Sequence, residues 1–473
     1  MVAVAVALTT EGLVRIDTVA LVKVVQAILR REWVVLDLVV LVVVVARVVR
    51  RMNIDIFNSP QRKRFFQSMK MGWYNVCPIE EGTGIPLTDQ EIPYALYYCH
   101  KVSPQIVHEI KHASELVGSV LMEVWSIVRT LDEETLLDYG FPQDAIKVVK
   151  HDSLPPFCMR LDWCWNEETG VKKVIETNPQ TPSFWFECTE GNGKVAEHFK
   201  LQDPVFNAQN ILSFSLNNHI HGAALLLNKR VEECHIAFTA LNNAEDLGTM
   251  RWLSRKYKRK STVLPLESLR IKDGEYLFDS RTGQPIDILF MWYPIEWVIY
   301  DTDEKGERLW SALEQLILEK KIVIVNFGSA FALQPKSIFA LITDLGLELF
   351  NNKDAQTIFD YFPRTSMMPE KIGNSYFAKP ILGREGAGGF AVKSGEVAVR
   401  SHSNEPWYTE QDYVYQELLE LPTLEIAEQS MTVVWGAWLY NNGQDELVSG
   451  GLGMRVSEGK ITDNISYWCP IGC

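Results

Sequence analysis

Three short apolar runs, each followed by a loop, constrain the fold of this chain most. The runs are CHIAFTA (residues 234–240), DILFMWYP (287–294) and KIVIVNF (321–327). A helical pattern follows the first run and begins near Glu245 and Asp246. Strands that alternate with helical stretches favour a mostly parallel sheet, and ligands bind beyond the carboxyl ends of such strands. We therefore expect an α/β fold with functional residues just after the strands.

A long amphipathic pattern precedes these runs. Residues 102–129 place Val, Ile, Leu and Met at helical spacing, with Ser103 as N-cap and Pro104 in the first turn. This pattern predicts a long helix that serves as scaffold.

Composition excludes some classes of function. A chain of 473 residues, 47% hydrophobic and 22% charged, is typical of a soluble globular protein with two or three domains. The net charge of −14 argues against nucleic-acid binding, which needs clustered Lys and Arg, and the basic clusters at 62–64 and 255–260 are short. The eight cysteines form no Cys-x-x-Cys motif and no zinc-like spacing with His, which indicates reduced thiols in a cytoplasmic protein.

The first 51 residues differ in composition from the rest. They are dominated by Val and contain no Asn, Ser, Pro, Phe, Tyr, His or Cys. The apolar stretch 33–49 is shorter than the roughly 20 residues of a membrane span, and it carries Asp37, which is costly at mid-bilayer depth. Three interpretations stay open: an extension outside the fold before a start at Met52, a membrane anchor or peripheral apolar helix, and a part of the core. Membrane contact is expected only if this leader is retained.

Polar residues sit at alternate positions in RLDWCWNEETGVKKVIETNPQTPS, residues 160–183. Arg160 and Asp162 share one face of a strand, and Glu176 and Asn178 share one face of the next. If the strands pair through a turn, all four side chains meet. Two carboxylates and an amide oxygen are the hard ligands that Mg²⁺ prefers. The alternative is a solvated hairpin whose acids face water.

A glycine-rich loop follows a strand-like run in YFAKPILGREGAGGFAV, residues 376–392. Such a loop lets backbone N–H groups approach phosphate oxygens, and Lys379 in the preceding strand would neutralise their charge. The segment is not a Walker A loop, which needs Gly-Lys-Ser/Thr before a helix. A simple tight turn is the alternative.

The order of these motifs carries a resemblance. RLD, IETNPQTPS, AEDLGT, FAKPILGREGAGG, YVYQELLELP and GLGMR occur in that order. Together they resemble the synthetase portion of glutathionylspermidine synthase and its stand-alone acid–amine ligase relatives, from about Phe157 to the C-terminus and more loosely from Met71. The resemblance implies a circularly permuted, glutathione-synthetase-like ATP-grasp fold with a pre-ATP-grasp-like domain. Such a permutation would explain why the metal-ligand hairpin precedes the nucleotide lysines.

The resemblance and the change of composition at Met52 imply a domain layout. We expect a Val-rich leader (1–51), a helical region with the metal-ligand hairpin (52–233), a pre-ATP-grasp-like substrate domain (234–330) and a nucleotide-binding region (331–473).

The resemblance also implies roles for individual residues. Those expected to hold Mg²⁺ are Asp162, Glu176 and Asn178. Those expected to bind ATP are Lys336, Lys379, Gly386 and Gly388 at the phosphates, with Gln416, Glu417 and Leu418 at the adenine. Arg160 and Arg455 would stabilise the transferring phosphoryl group. Those expected near the substrates are Thr181, Ser183, Glu245 and Asp246.

The activity implied by the resemblance is ATP-dependent joining of a carboxylic acid to an amine through an acyl phosphate, with ATP and Mg²⁺ as cofactors. An acidic chain suits a polyamine or another cationic amine. Nothing before Phe157 supplies the Cys/His amidase domain of the bifunctional relatives, so hydrolysis of the conjugate is not expected. The segment PQTPSFW differs from the one that receives glutathione, which leaves the acid open.

Two other classes of function stay open. One is a kinase-like phosphotransferase, which would leave phosphate on its acceptor. The other is a nucleotide-binding scaffold without turnover, and the pair Arg160 and Arg455 disfavours it, because a binder does not need two cations at the point of transfer.

Overall fold

The computed structural model describes residues 55–76, 91–272, 274–303, 305–401, 405–443, 446–459 and 466–473. Residues Ile56–Cys473 form one compact unit. The leader, with the stretch 33–49, lies outside the described residues, and the boundaries at 51, 233 and 330 stay predictions. In the part of the chain that the structure describes, no helix is both long and apolar enough to cross a membrane.

The helices pack around several sheets. They are α1 (Pro60–Ser68), α2 (Pro104–Val128), α3 (Glu133–Asp138), α4 (Gln143–His151), α5 (Asn192–His198), α6 (Ala208–Leu226), α7 (Asp246–Ser254), α8 (Ile295–Val298), α9 (Trp310–Leu318), α10 (Gly328–Phe331), α11 (Ile338–Leu345), α12 (Asn352–Tyr361) and α13 (Pro406–Thr409). The predicted long helix is α2, and its first turn is capped by the Ser103 hydroxyl, which accepts from the Gln105 N–H at 3.2 Å. That prediction is confirmed.

The strands alternate with these helices in the middle of the chain and dominate its last third. They are β1 (Asn75–Val76), β2 (Ile92–Pro93), β3 (His100–Lys101), β4 (Cys158–Asn166), β5 (Val171–Asn178), β6 (Ile236–Ala240), β7 (Thr262–Pro265), β8 (Leu269–Lys272), β9 (Tyr276–Asp279), β10 (Gln284–Ile286), β11 (Ile288–Trp292), β12 (Val323–Val325), β13 (Thr365–Ser366), β14 (Tyr376–Pro380), β15 (Phe390–Lys393), β16 (Glu396–Arg400), β17 (Tyr413–Glu417), β18 (Thr423–Ile426), β19 (Gln429–Asn441), β20 (Leu447–Ser457), β21 (Tyr467–Cys469) and β22 (Ile471–Gly472).

The three apolar runs form a parallel sheet, as predicted. Its strand order is β12-β11-β6-β7, and every neighbouring pair is parallel. The strands are buried on both faces, which accounts for their continuous apolar sequence. Polar residues follow the carboxyl ends of three strands: Asp246 after β6, Glu296 after β11 and Asn326 after β12.

A second, antiparallel sheet has the order β21-β20-β19-β4-β5, with β18 added along β19. One of its faces packs against α2, where Trp163 donates from its indole N–H to the Ser114 hydroxyl at 3.1 Å. Side chains alternate along a strand, so Asp162 on the same strand lies on the opposite face from Trp163. Helix α2 is therefore scaffold, and the opposite face of the sheet carries the polar residues.

A third sheet, β13-β17-β14-β15-β16, is antiparallel throughout. The glycine-rich loop connects β14 to β15, as the sequence predicts. Asn326 fixes the parallel sheet against the hairpin, because its amide nitrogen donates to the Pro179 carbonyl at 2.6 Å and its oxygen accepts from the Phe157 N–H at 2.9 Å. The carboxyl end of the parallel sheet and the end of the hairpin thereby lie together.

Candidate active site

Strands β4 and β5 pair so that four predicted residues meet. Arg160 lies opposite Asn178, and Asp162 lies opposite Glu176. Residues directly opposite each other in an antiparallel pair share a face. The structure therefore brings together the two carboxylates, the amide and the guanidinium on the face away from α2.

The turn between these strands sets their register. The Asn166 side-chain oxygen accepts from the N–H groups of Glu168 at 3.1 Å and Thr169 at 3.2 Å. Gly170 has a φ of 73°, in the left-handed region that favours glycine. A shift of one residue would turn the polar side chains to the opposite face, so this turn chemistry positions the site.

Two arginines bind the Asp162 carboxylate. Arg160 donates to both of its oxygens, at 2.7 Å from Nε and 3.0 Å from Nη2. Arg455, from β20, donates from Nη2 to Oδ2 at 2.6 Å. Burial by itself raises the pKa of Asp162, but the two guanidiniums outweigh it and hold that pKa below its ordinary value. Asp162 is therefore an ionised carboxylate with a cation on each side.

Glu176 is bound by a lysine. Lys336 donates from Nζ to Glu176 Oε1 at 3.1 Å and to the Gly383 carbonyl at 2.6 Å. The Asn178 side chain lies between Glu176 and Arg160. Its amide nitrogen donates to Glu176 Oε1 at 3.0 Å, and its oxygen accepts from Arg160 Nη2 at 3.1 Å. Lys336 thus lies beside the hairpin, and its contact with nucleotide phosphates stays a prediction.

Lys379 extends from β14 to the end of the hairpin. Its Nζ donates to the Ile175 carbonyl at 2.8 Å and to Gln416 Oε1 at 2.9 Å. Burial lowers the pKa of Lys379 to about 8, and the nearby Lys336 acts in the same direction. The lysine is thus a half-buried cation whose hydrogen-bond partners are uncharged.

These residues form one charged cluster, defined by Arg160, Asp162, Glu176, Asn178, Lys336, Lys379 and Arg455. Its four cationic side chains face two carboxylates, which leaves an excess of positive charge. The Arg455 Nε is buried and has no hydrogen-bond partner in the described part of the chain. A buried unpaired donor and surplus cations are both stabilised by a polyanion. The cluster is therefore suited to binding phosphate groups.

The donor set of the cluster also fits a hard cation. Among the described residues, no group of three or more His, Cys, Asp or Glu side chains is arranged to hold a metal ion. The predicted Mg²⁺ ligands are not a group of that kind, because only Asp162 and Glu176 supply carboxylates and Asn178 supplies an amide oxygen. Mg²⁺ commonly takes one or two carboxylates and completes its shell with water and phosphate oxygens. The residues present therefore fit Mg²⁺ together with a nucleotide.

The glycine-rich loop has the backbone that its sequence predicts. Gly386 and Gly388 have φ angles of 72° and 69°, which favour glycine. At Gly388 an added Cβ would lie 2.8 Å from Pro380, so a side chain there would also clash with the preceding strand. The glycines are thus required by the loop itself, and contact with phosphates stays a prediction.

Arg384 in this loop is a site residue that the sequence analysis did not identify. It donates to Glu296 Oε1 from Nε at 3.0 Å and from Nη2 at 2.9 Å, and to the Thr181 hydroxyl at 2.9 Å. The Glu296 side chain is only 1% exposed. Glu296 follows β11 just as Glu245 follows β6, so the expectation of functional residues after each strand could have found it.

The residues predicted near adenine separate in the structure. Gln416 is buried and points to Lys379, whereas Glu417 accepts from the Arg364 backbone N–H at 3.1 Å and from its Nε at 3.3 Å. Neighbouring residues of a strand point to opposite faces. Leu418 follows the end of β17. Only Gln416 of the three places its side chain at the charged cluster, and adenine binding stays a prediction.

The predicted substrate residues form two pairs with different neighbours. Ser183 accepts from Arg160 Nη1 through its carbonyl at 2.9 Å and its hydroxyl at 3.3 Å, and Thr181 binds Arg384. Asp246 accepts from the Asn243 amide at 2.7 Å and from the Trp292 indole at 3.2 Å. Burial raises the pKa of Asp246.

Glu245 directly precedes Asp246 and adds a second carboxyl group there. Burial raises the pKa of Glu245 well above its ordinary value, and the charges of Asp246, Glu187 and Glu385 act in the same direction. A cationic group would relieve this repulsion. The arrangement fits a positively charged ligand at this end of the site, while the charged cluster fits an anionic one.

Comparisons with known proteins identify the family of this chain. Residues 79–472 match the family described as glutathionylspermidine synthase preATP-grasp. A Haemophilus influenzae protein named "Putative acid--amine ligase" is 24% identical over 215 residues, which cover 44% of this chain and 47% of that protein.

A similar solved structure is a glutathione synthetase-like effector from Globodera pallida in its apo form. It superposes with a TM-score of 0.54 at 13% identity, over 88% of this chain and 98% of that one. At this identity the likeness shows the fold alone: mixed α/β and glutathione-synthetase-like, as an ATP-grasp-like fold requires. The match of the family model over most of the sequence shows that this chain belongs to the glutathionylspermidine synthase pre-ATP-grasp family.

Proposed function

We propose that this chain is an ATP-dependent ligase that joins a carboxylic acid to an amine. The observation that carries the proposal is the charged cluster, in which four cations from two sheets and from the segment before α11 surround two carboxylates and an amide. Family membership and the name of the Haemophilus influenzae relative support the same class of reaction. The match spans about half the length of that relative, so the activity of the whole protein is part of the proposal.

Asp162, Glu176 and Asn178 would hold Mg²⁺ beside the ATP phosphates. When bound, the ion neutralises phosphate charge and orients the transferring group. Lys336 and Lys379 would exchange their present partners, Glu176 and Gln416, for phosphate oxygens. Lysine ammonium groups bind phosphate as point charges, which require no fixed geometry of their partner. Rotation of the lysine side chains would therefore suffice for this exchange.

Arg160 and Arg455 would act at the point of transfer. The γ-phosphoryl group moves to an oxygen of the substrate carboxylate and gives an acyl phosphate, and the amine then attacks the acyl carbon and displaces phosphate. Such transfer depends on positioning and charge stabilisation rather than on a protein nucleophile. Cys188, the cysteine near Arg160, fits this view, because burial raises the pKa of its thiol well above the ordinary value.

The chain order supports a circularly permuted arrangement. The metal-ligand strands β4 and β5 precede the nucleotide strands β14 and β17 in sequence, although Lys379 and the Ile175 carbonyl meet in space. We therefore propose that the ATP-grasp fold of this chain is circularly permuted. Thr181 and Ser183 would contact the acid, and Glu245 and Asp246 the amine. Hydrolysis of the conjugate is not part of the proposed activity.

The test is a screen of carboxylic acids with ATP, Mg²⁺ and hydroxylamine as the trapping amine. We expect at least one acid to give ADP, free phosphate and hydroxamate in equal amounts. A phosphorylated acceptor without free phosphate would replace the proposal with a phosphotransferase. Nucleotide binding without ADP formation from any acid would favour a non-catalytic scaffold.

A further inference from the structure

A buried glutamate beside the charged cluster has no role in the reaction as proposed so far. Glu187 begins a π-helical turn, Glu187–Gly191, and is 2% exposed. Its Oε1 accepts from the Trp73 indole N–H at 2.7 Å, and the Tyr94 hydroxyl also hydrogen-bonds to it. π-helical turns are rare and occur frequently at functional sites. The carboxylate is therefore held in place by two aromatic side chains from a distant part of the chain.

Glycines bring this turn close to the sheet face that carries the cluster. An added Cβ at Gly453 would lie 2.5 Å from Cys188 Sγ, and one at Gly451 would lie 3.0 Å from the Cys188 carbonyl. At Gly436, opposite Asp162, it would lie 3.4 Å from Arg160 Cδ. The close packing that these glycines permit sets the turn against β20 at Gly451 and Gly453, and Gly453 lies two residues before Arg455.

Trp73 links Glu187 to the segment that carries Glu245 and Asp246, because its indole donates to Glu187 and its ring packs on Gly248 of α7, where an added Cβ would lie 2.8 Å from it. Burial raises the pKa of Glu187, and the opposing effects of Trp73, Tyr94 and the Arg160 charge do not cancel that shift. On its other side the charge of Glu187 contributes to the raised pKa of Glu245. Glu187 thus adjoins both the anion-binding cluster and the acidic end of the site.

Amide formation requires a proton acceptor near the substrate amine. A basic amine is an ammonium ion at neutral pH, and its nitrogen lone pair cannot attack the acyl carbon until the proton is removed. General bases for such steps are most effective when their pKa lies near the working pH, which burial of a carboxylate favours. Asp162 and Glu176 are bound by cations and are unsuited to this task.

We propose that Glu187 is the general base that takes the proton from the substrate ammonium, a proposal that rests on the ligase function above. The Glu187 carboxylate becomes a carboxylic acid, and the free amine attacks the acyl carbon. As the N–C bond forms, the C–O bond to phosphate breaks, and the second amine proton leaves with the phosphate. Glu187 then returns its proton to solvent.

The experiment compares two nucleophiles in Glu187→Gln. Hydroxylamine is mostly uncharged at neutral pH and needs no base, whereas 1,4-diaminobutane is an ammonium. We expect hydroxamate formation within about twofold of the parent and amide formation with 1,4-diaminobutane at least about 100-fold slower. Gln keeps the Oε1 that accepts from Trp73, so a thermal melt should match the parent.

Glu197→Gln, a change at an exposed glutamate of α5, is the matched control. It should retain both activities. Equal loss, or equal retention, of both reactions in Glu187→Gln would overturn the role of Glu187 as base. Absence of hydroxamate from the unaltered protein would overturn the ligase proposal itself, and the base with it.

Discussion

Lys379 shows how burial and charge oppose each other at a single residue. Its pKa in the folded protein is lowered to about 8, mainly by burial. Because the folded-state pKa lies below the unfolded value, the unfolded chain binds more protons between these two pKa values. This lysine therefore lowers stability at neutral pH, and the loss is recovered as pH rises above about 8. A bound phosphate would favour the charged form and raise the pKa again.

The pH dependence of ATP affinity tests this balance. In the parent, affinity should fall as pH rises through about 8, since binding then requires proton uptake. Lys379→Met should bind ATP more weakly at neutral pH by roughly 1.5–3 kcal/mol, the size of a charge-assisted hydrogen bond. The ATP affinity of this variant should no longer fall as the pH rises. The measurement is calorimetry across this pH range, with the exposed Lys393→Met as control. Equal affinity of parent and Lys379→Met would remove Lys379 from the nucleotide site.

At the scale of elements, the glycine-rich loop is fastened to helix α8. Arg384 makes two hydrogen bonds to Glu296 and one to Thr181. Glu296 Oε2 is buried without a hydrogen-bond partner among the described residues, so Arg384 compensates a carboxylate that water does not reach. The pair joins the loop after β14 to the segment after β11.

A double-mutant cycle measures this connection. Arg384→Met leaves the buried Glu296 charge uncompensated and should lower the free energy of unfolding by about 3 kcal/mol. Glu296→Gln should lower it less, because the remaining cation is partly exposed. The double variant should lose less than the sum of the two single losses in urea unfolding. Additive losses would show that the two side chains do not stabilise each other.

At the scale of the whole molecule, local sequence patterns predicted strands and the pairing within one hairpin, but they did not predict contacts between distant segments. Apolar runs predicted the parallel sheet, and alternation predicted that Arg160, Asp162, Glu176 and Asn178 meet. The same alternation could have shown that Gln416 and Glu417 point to opposite faces. Periodicity holds no information on contacts between distant segments, such as Arg384 with Glu296.

The separation of the leader from the fold is also a whole-molecule question. Residues Ile56–Cys473 form one compact unit. A chain that begins at Met52 should therefore fold, melt in one cooperative transition and bind ATP with the affinity of the full chain. Thermal melts and calorimetry of both chains check this. An insoluble shortened chain, or one without a cooperative transition, would show that the leader belongs to the core.

The central claim is that the charged cluster transfers a phosphoryl group, and Glu176→Gln tests it most directly. Gln keeps the volume and the Oε1 that accepts from Lys336, but it withdraws a negative charge from the oxygen set proposed for Mg²⁺. The measurement is ADP formation at saturating ATP and Mg²⁺ with hydroxylamine and an active acid, beside a thermal melt and ATP binding. The exposed strand residue Glu425, changed to Gln, is the control.

We predict that Glu176→Gln melts like the parent and still binds ATP but loses ADP formation, while Glu425→Gln retains it. If Glu176 is only a solvated carboxylate, its substitution changes stability by no more than about 0.5 kcal/mol and leaves the rate unaltered. A Glu176→Gln variant that melts like the parent and forms ADP at the parental rate would contradict the account.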